Sequence, residues 1–405
     1  MTYKETLDYL FSRLPMYQRV GKVAYKKDLT NTLKLLEKLD NPHRKFKSVH
    51  IAGTNGKGTS AHGIAAILQT AGYKTGLYTS PHLKSFTERI RINGKEVSES
   101  FVTDFVDRIH EAIDEIEPSF FEITVAMAFD YFAQQEVDIA VVETGLGGRL
   151  DSTNVINPEV SLITNIGFDH MDMLGDTLEK IAAEKAGIIK PGVPVVIGER
   201  QPETALVFEE IARKQGSPLS YARREAWKPK GLVPSYLVRN YPGIKAVVDV
   251  LIDQGWKISP NDIETGLDLL NELTGLKGRL QVLQNQPLII ADVSHNADGL
   301  RVLFEQVNEI CKRTLHLVFG SVKDKDLSPI FKLFPVGAKC YWTQSSVPRS
   351  LSVEELAIQA IVNGIQGECF TNVNEAITHV KEKVLPDDLI LITGSTFVVA
   401  EINDL

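Results

Sequence analysis

Short apolar runs alternate with helix-like patterns almost from one end of this chain to the other. That order is the pattern of a parallel sheet whose strands are joined by crossover helices. The first series holds the strand candidates SVHIA (48–52), KTGLYT (74–79), VDIAVVET (137–144), VSLITNI (160–166) and VPVVIG (193–198). A glycine-rich turn follows the first strand, and a helix then runs through Ser60 until Gly72 can end it. Longer patterns at 98–116 and 121–135 read as further helices. A second series begins near residue 287 with PLIIADVS, then a helix from Asp298 to about Lys312, TLHLVFG and a helix around 327–334. It continues through KCYWT, helices at 353–363 and 373–384, DLILIT, and a final helix from about Ser395.

The two series predict two α/β domains. A chain of 405 residues exceeds two domains of about 150 residues each. Between the series, 216–246 is rich in Pro, Gly and charge without clean periodicity, and is expected to be an irregular excursion of the first domain. The boundary is placed in TGLKGR (274–279), giving domains 1–276 and 277–405. Leu7, Leu10, Phe11 and Leu14 fall on one helical stripe, so the N-terminal segment is expected to be a helix and not a signal peptide. No segment has the 18 to 20 consecutive apolar residues, roughly, of a membrane span, and 44 basic against 52 acidic residues gives a net charge of −8. That balance argues against attraction to nucleic-acid backbones or anionic membranes. Cys311, Cys340 and Cys369 are too widely spaced for a disulfide framework or a C-x-x-C metal site. A soluble, cytoplasmic protein with neither nucleic-acid nor membrane partners is expected.

Four polar clusters follow the strands. Gly53-Thr54-Asn55-Gly56-Lys57-Gly58-Thr59-Ser60 lies directly between the first strand and its helix. Backbone N–H groups and a helix N-terminus there can hold phosphate oxygens, and Lys57 can reach a terminal phosphate. The strict P-loop pattern fails at Ile51 and Gly58, where Gly and Ser or Thr would stand. Glu143 leaves the apolar run VDIAVV ahead of Gly145, Gly147, Gly148 and Arg149, at a strand end suited to Mg²⁺. Capping of a nearby group is the plainer role for that glutamate, but the glycines and Arg149 behind it favour a site. Thr164 to His170 is a third strand-end cluster, followed by Lys185 among Ala182, Ala183, Ala186 and Gly187. Spacing alone promotes neither His170 nor Lys185. Asp292-Val293-Ser294-His295-Asn296 follows PLIIA, either as a ligand loop or as the cap of the next helix. The absence of a Gly-x-Ser-x-Gly elbow removes the serine-hydrolase reading.

Together these residues resemble the Mur ligase superfamily, and within it the folylpolyglutamate synthase and dihydrofolate synthase family. The Gly53–Ser60 loop is similar to that family's GTNGKG[ST] loop, which accounts for both departures from the strict P-loop. Further matches are Tyr78 to Leu83, Phe86 with Glu88-Arg89-Ile90, Phe121-Glu122 with Thr124, Glu143 to Asn154, Thr164 to His170 and Glu184 to Gly187. Gly278-Arg279-Leu280, Asp292 to Asn296, Asp324-Lys325-Asp326 and Thr393-Gly394-Ser395 complete the order.

The resemblance implies a P-loop ATPase domain with a mostly parallel sheet flanked by helices, and a smaller C-terminal Rossmann-like α/β domain. It implies that Gly53, Thr54, Asn55, Gly56, Lys57, Gly58 and Thr59 contact ATP, together with Asn240, Arg279 and Asp292. Ser80, Glu143 and His170 would ligate two Mg²⁺ ions, and Lys185 matches a lysine that relatives carry as a metal-binding carbamate. Phe121, Glu122, Ile123, Thr124, Leu150, Asp151 and Ser152 fall on folate-contacting segments. Ser294, His295 and Ser395 fall where glutamate is handled, and Lys57, Lys185 and His295 are the expected catalytic residues. In place of the family's Gly-x-His-Gln-x-x-Asn-Ala segment the chain has Leu237-Val238-Arg239-Asn240-Tyr241-Pro242-Gly243, so Asn240 aligns without the His-Gln pair.

The implied reaction is ATP-dependent amide formation, in which a carboxylate becomes an acyl phosphate and the amine of L-glutamate displaces phosphate. Phosphoryl transfer is largely positioning and charge neutralisation, which suits Lys57, Mg²⁺ and backbone amides. Water exclusion would require the second domain to close over the first. Folates are the expected acceptors; dihydropteroate as a second or main acceptor and a monovalent-cation requirement stay open, and a monomer is expected. Two rival readings remain. A peptidoglycan Mur ligase would need a further N-terminal domain, for which about 45 residues before the loop are too few. A P-loop switch ATPase would leave Asp292 to Asn296 and Ser395 without a purpose.

Overall fold

The computed structural model describes residues 1–14, 28–223, 225, 227, 229–230, 232–323, 325–403 and 405. Asp324, one of the motif residues above, lies outside the described residues. The chain divides into two compact units, Met1–Lys230 with Leu237–Leu276, and Gly231–Tyr236 with Lys277–Leu405.

The first unit is built on β1 (Lys47–Ala52), β2 (Thr75–Tyr78), β3 (Ile90–Ile92), β4 (Lys95–Glu96), β5 (Ile139–Glu143), β6 (Val160–Ile163), β7 (Val195–Ile197) and β8 (Leu219–Tyr221). They lie in the order β4-β3-β2-β5-β1-β6-β7-β8, parallel from β2 to β8, with antiparallel β3 and β4 closing one edge. Strands β2, β5, β6 and β7 are buried throughout, and β1 at all but its first residue, as expected for a sheet covered on both faces. The helix Lys57–Thr70, which follows β1, is buried on nearly every side, and its Gly63 lies in a close helix contact, as does Gly266 of a neighbouring helix. A Cβ on Gly266 would come within 2.8 Å of the Ile67 backbone, so only glycine lets the helix Pro260–Asp268 pack there.

The second unit carries β9 (Gln281–Asn285), β10 (Leu288–Ala291), β11 (Leu315–Phe319), β12 (Lys339–Thr343), β13 (Gly367–Phe370) and β14 (Leu389–Thr393). The order is β13-β12-β11-β14-β10-β9, parallel except for antiparallel β9 at the edge. Its core gathers Leu300, Leu303, Phe304, Phe319, Phe331 and Trp342. Among the described residues no helix is long and apolar enough to cross a membrane.

Several elements depart from the sequence reading. β3, β4, β8, β9 and β13 were not anticipated; they are short or edge strands with little hydrophobic alternation. The stretch expected to be irregular contains β8 and the start of the helix Ser235–Asp253. Pro242 inside that helix hides its periodicity, while Gly243 beside it lets the helix approach Gly198, a Cβ there lying 3.4 Å from the Gly198 Cα. The N-terminal helix Tyr3–Arg13 forms, opened by a capping box between Thr2 and Glu5.

Candidate active site

In a parallel sheet the carboxyl ends of all strands share one edge, so the residues after β1, β2, β5 and β6 meet there. After β1 the chain turns through Gly53, whose φ of +147° and closeness to Thr164 require glycine: a Cβ would sit 1.8 Å from Thr164 Oγ1. The Thr54 N–H donates to the Asn165 carbonyl at 2.9 Å and the Asn55 N–H to Asn165 Oδ1 at 3.0 Å. Thr164 Oγ1 donates to the Asn55 carbonyl at 2.7 Å. The loop is therefore clamped by the end of β6, and the Thr54 and Asn55 amides are already used. The amides that face outward for phosphate are those of the helix start after Gly56, which adopts φ +84° at the N-cap with no side-chain cap.

Asn240 sits over this turn: a Cβ on Gly56 would fall 2.5 Å from Asn240 Nδ2. That nitrogen is buried without a hydrogen-bond partner, as a donor awaiting a nucleotide would be. Lys57 Nζ donates to the carbonyls of Gly53 (3.1 Å) and Thr54 (3.2 Å). Lys185 Nζ donates to the same Gly53 carbonyl at 2.9 Å. Burial, then the neighbouring Lys57 charge, pulls the Lys185 amine down to about 7.

At the end of β5, Glu143 is buried, and its Oε2 accepts the Ser80 N–H at 3.1 Å. A Cβ on Gly58 would lie 3.5 Å from the same carboxylate, in ordinary contact, which places Glu143 beside the start of that helix. Ser80 and Glu143 are thus brought together beside the phosphate-binding turn, and Asp169 is near enough to Lys185 to raise its affinity for protons. His170 caps the short helix Met171–Leu174 in the left-handed conformation, partly exposed, with Nε2 3.8 Å from Asp169 Oδ2. The Glu143 carboxylate and the Ser80 hydroxyl are oxygen donors of the kind Mg²⁺ takes, whereas His170 is placed against Asp169, and among the described residues no three His, Cys, Asp or Glu side chains cluster to hold a metal.

The loop after Glu143 is shaped by glycines. A Cβ on Gly145 would meet Phe121 Cζ at 2.5 Å, one on Gly148 the Lys185 carbonyl at 2.7 Å, and one on Gly187 the Arg149 Cα at 2.3 Å. Arg149 Nη2 pairs with Glu184 Oε1 at 2.8 Å. Of the residues expected to meet a folate, Phe121 and Leu150 are half-buried and can offer surface, whereas Ile123, Thr124, Asp151, Glu122 and Ser152 are buried. Glu122 closes a capping box on Ser119, and Thr124 Oγ1 donates to the Phe120 carbonyl. Asp151 accepts from the Leu146 and Thr153 amides.

In the second unit Asp292 follows β10 and Thr393 ends the neighbouring β14. Asp292 Oδ1 accepts the Ser294 N–H at 2.8 Å, and Oδ2 accepts from the Leu280 N–H and the Tyr236 hydroxyl, both at 2.7 Å. The Ser294 carbonyl accepts the Gly394 N–H. His295 Nδ1 lies 3.0 Å from the Val293 carbonyl, and Ser395 caps the last helix through the Phe397 N–H. Asp292, Ser294, His295 and Ser395 are accordingly gathered around two strand ends, and Arg279 precedes the Leu280 amide that Asp292 accepts, with its charge felt at Tyr236. The sequence reading missed Thr164 and Asn165 as clamps of the first loop, and missed Tyr236; strand-end position was a signal for the former pair only.

Comparison with known proteins decides the family. The Mur ligase middle domain matches residues 51–228 and the Mur ligase glutamate ligase domain matches 278–396. The dihydrofolate synthase/folylpolyglutamate synthase of Bacillus subtilis is 32% identical over 99% of this chain and 98% of its own length. This chain belongs to the folylpolyglutamate synthase/dihydrofolate synthase family. It is an ATP-dependent ligase of the Mur type. A structure of E. coli FolC in complex with DHPP and ADP matches with a TM-score of 0.86 at 28% identity, over 99% of this chain and 96% of that one. A bifunctional folylpolyglutamate synthase/dihydrofolate synthase with Mn, AMPPNP and L-glutamate bound matches with a TM-score of 0.85 at 30% identity, over 99% and 97%. Family membership removes the switch-ATPase reading.

Proposed function

We propose that this protein adds L-glutamate to folates at the expense of ATP, through an acyl phosphate. The observation that carries the reading is the convergence of an uncapped helix N-terminus, Lys57, Lys185 and the buried Glu143 at one sheet edge. ATP and a folate carboxylate are both anions, and only a site with fixed positive ends can hold them in line. The amides from Gly56 to Thr59 bind the phosphates, with Lys57 on the transferred group and Asn240 donating to the nucleotide from above the turn. Arg279 and Asp292 are the further nucleotide contacts. Ser80, Glu143 and His170 hold divalent metal, and the metal supplies neutralisation of phosphate charge when bound. Phe121 and Leu150 offer the acceptor its apolar contacts, and Ser294, His295 and Ser395 orient the incoming glutamate.

Lys185 is proposed to be carbamylated. Its neutral amine, abundant near neutral pH because of burial, adds to CO₂ and loses a proton, leaving a carbamate anion. That anion turns a repulsion with Lys57 into an attraction and gives the metal another oxygen. The acting species is read as a monomer.

Dihydropteroate is the second acceptor considered, favoured because relatives such as the B. subtilis protein carry both activities in their names. The deciding experiment incubates the protein with Mg·ATP and L-glutamate plus either dihydropteroate or a reduced folate, following ADP and product mass. Glutamate addition to the folate supports the proposal, and addition to both makes the enzyme bifunctional. Addition to neither would overturn it.

A further inference from the structure

His50 lies inside β1, three residues before the phosphate-binding loop, and is fully buried. Its Nε2 is 2.8 Å from Thr153 Oγ1, and the same hydroxyl is 2.5 Å from Asp151 Oδ1. Thr153 has one hydroxyl proton. Burial raises the Asp151 carboxyl, but its donors pull the other way: Oδ1 also takes the Thr153 N–H at 3.0 Å and Oδ2 takes the Leu146 N–H at 2.8 Å, so the side chain acts as an acceptor. The hydroxyl proton therefore goes to Asp151, and the imidazole must donate to the hydroxyl oxygen. That leaves His50 Nδ1 bare, which agrees with its surroundings: the atom is buried with no hydrogen-bond partner. An unpartnered N–H there would cost more than an unpartnered lone pair. Burial and the nearby Lys190 charge also disfavour a second proton, holding His50 down to about 3. Lys190 itself is turned to the Asn154 carbonyl at 2.6 Å.

The chain of bonds ends on the loop that the acceptor would meet. Through Leu146, Asp151 folds residues 145–151 back on themselves, with Gly145 against the Phe121 ring and Leu150 half-buried at the turn. The phosphate-binding loop is clamped separately, by Thr164 and Asn165.

We infer that His50 is a positioning residue for the acceptor: as the Nε2–H tautomer it orients Thr153, which orients Asp151, so the buried strand sets the shape of the folate-facing loop. The inference rests on the folate-ligase reading above. It predicts a separation between the two substrates, because the relay serves one loop and the clamp another.

The test compares KM for the reduced folate and for ATP in wild type, His50→Val, His50→Gln, Thr153→Val and Thr153→Ser. Loss of a hydrogen bond to a charged group is worth about tenfold or more and loss of a neutral one a few-fold, so Thr153→Val should raise the folate KM by about tenfold and His50→Val by about threefold or more. Their KM for ATP should stay within about twofold of wild type. Gln, whose amide N–H reaches where Nε2 was, and Ser, which keeps the hydroxyl, should restore the folate KM. Unchanged folate KM in the valine variants, or folate and ATP values rising together, would overturn the relay. If the valine variants do not fold, ¹⁵N imidazole shifts of the wild type decide: the Nε2–H tautomer is expected at pH 7, and an Nδ1–H tautomer or an imidazolium overturns the inference. Absence of glutamate-dependent ADP release by the wild type would instead overturn the ligase reading and the acceptor role with it.

Discussion

At the residue scale, the two lysines that share the Gly53 carbonyl ask for different substitutions. Lys57 is a phosphate ligand in the proposal, and nothing small can replace a charge at the end of its stem. Lys185 is different, because the useful species there is an anion held on a lysine stem. Lys185→Ala should lose nearly all activity, and short carboxylates such as acetate or formate should restore a large part of it by standing in for the carbamate. Activity titrated against added carboxylate checks this, together with the mass of the intact protein under CO₂. An unmodified lysine combined with no rescue would remove the role. Gly53 makes a steric prediction of its own. In Gly53→Ala a methyl would need the space of Thr164 Oγ1, 1.8 Å away, so the clamp on Asn55 breaks. The variant should bind ATP at least tenfold more weakly and lose roughly 2 kcal/mol or more of stability, seen by nucleotide titration and denaturant melts.

At the scale of elements, legibility followed burial and length. β5 and β14 could be read because four consecutive apolar residues end in a polar one, and the glycine-rich turn after β1 announced its position between strand and helix. β4, with two residues, and the edge strand β13, largely exposed, carry no such pattern. The helix from Ser235 was hidden by its own Pro242. The candidate site was legible where one segment supplies a whole feature, as Gly53 to Ser60 does. It was not legible where distant segments must meet: the Asn165 clamp on Asn55 spans 110 residues. The contact between the loop after Glu143 and the segment Glu184–Gly187 is of the same kind. Both sides had been singled out by composition, yet only the fold shows why each carries glycine. Gly187→Ala would press a methyl to 2.3 Å of the Arg149 Cα, backbone that cannot swing away. The expected outcome is a displaced Lys185 and a destabilisation of about 2 to 4 kcal/mol, with catalysis lost even at temperatures where circular dichroism reports a folded protein.

On the scale of the whole molecule, the buried histidines tie stability to pH. Burial drives His50 down to about 3 and, with the Arg44 charge, His43 to about 4, against an ordinary value near 6.5. Both are neutral in the folded chain at pH values where the unfolded chain has already bound a proton. The unfolded state therefore binds more protons below about pH 6.5, and stability must rise with pH through that window and fall as acid is added. A fully buried histidine of this kind costs up to about 1.4 kcal/mol per pH unit, so His50 alone should remove about 2 kcal/mol between pH 6.5 and pH 5. His43 adds to this in the same direction by a smaller amount. Urea melts across pH 5 to 8 should show the midpoint climbing until about pH 6.5 and flattening above it. His50→Gln keeps the donor to Thr153 but cannot titrate, so it should shrink the slope by its share while leaving the plateau nearly in place. A slope identical to wild type in that variant would mean that the acid sensitivity arises elsewhere in the two cores, and that His50 is protonated as readily in the fold as outside it.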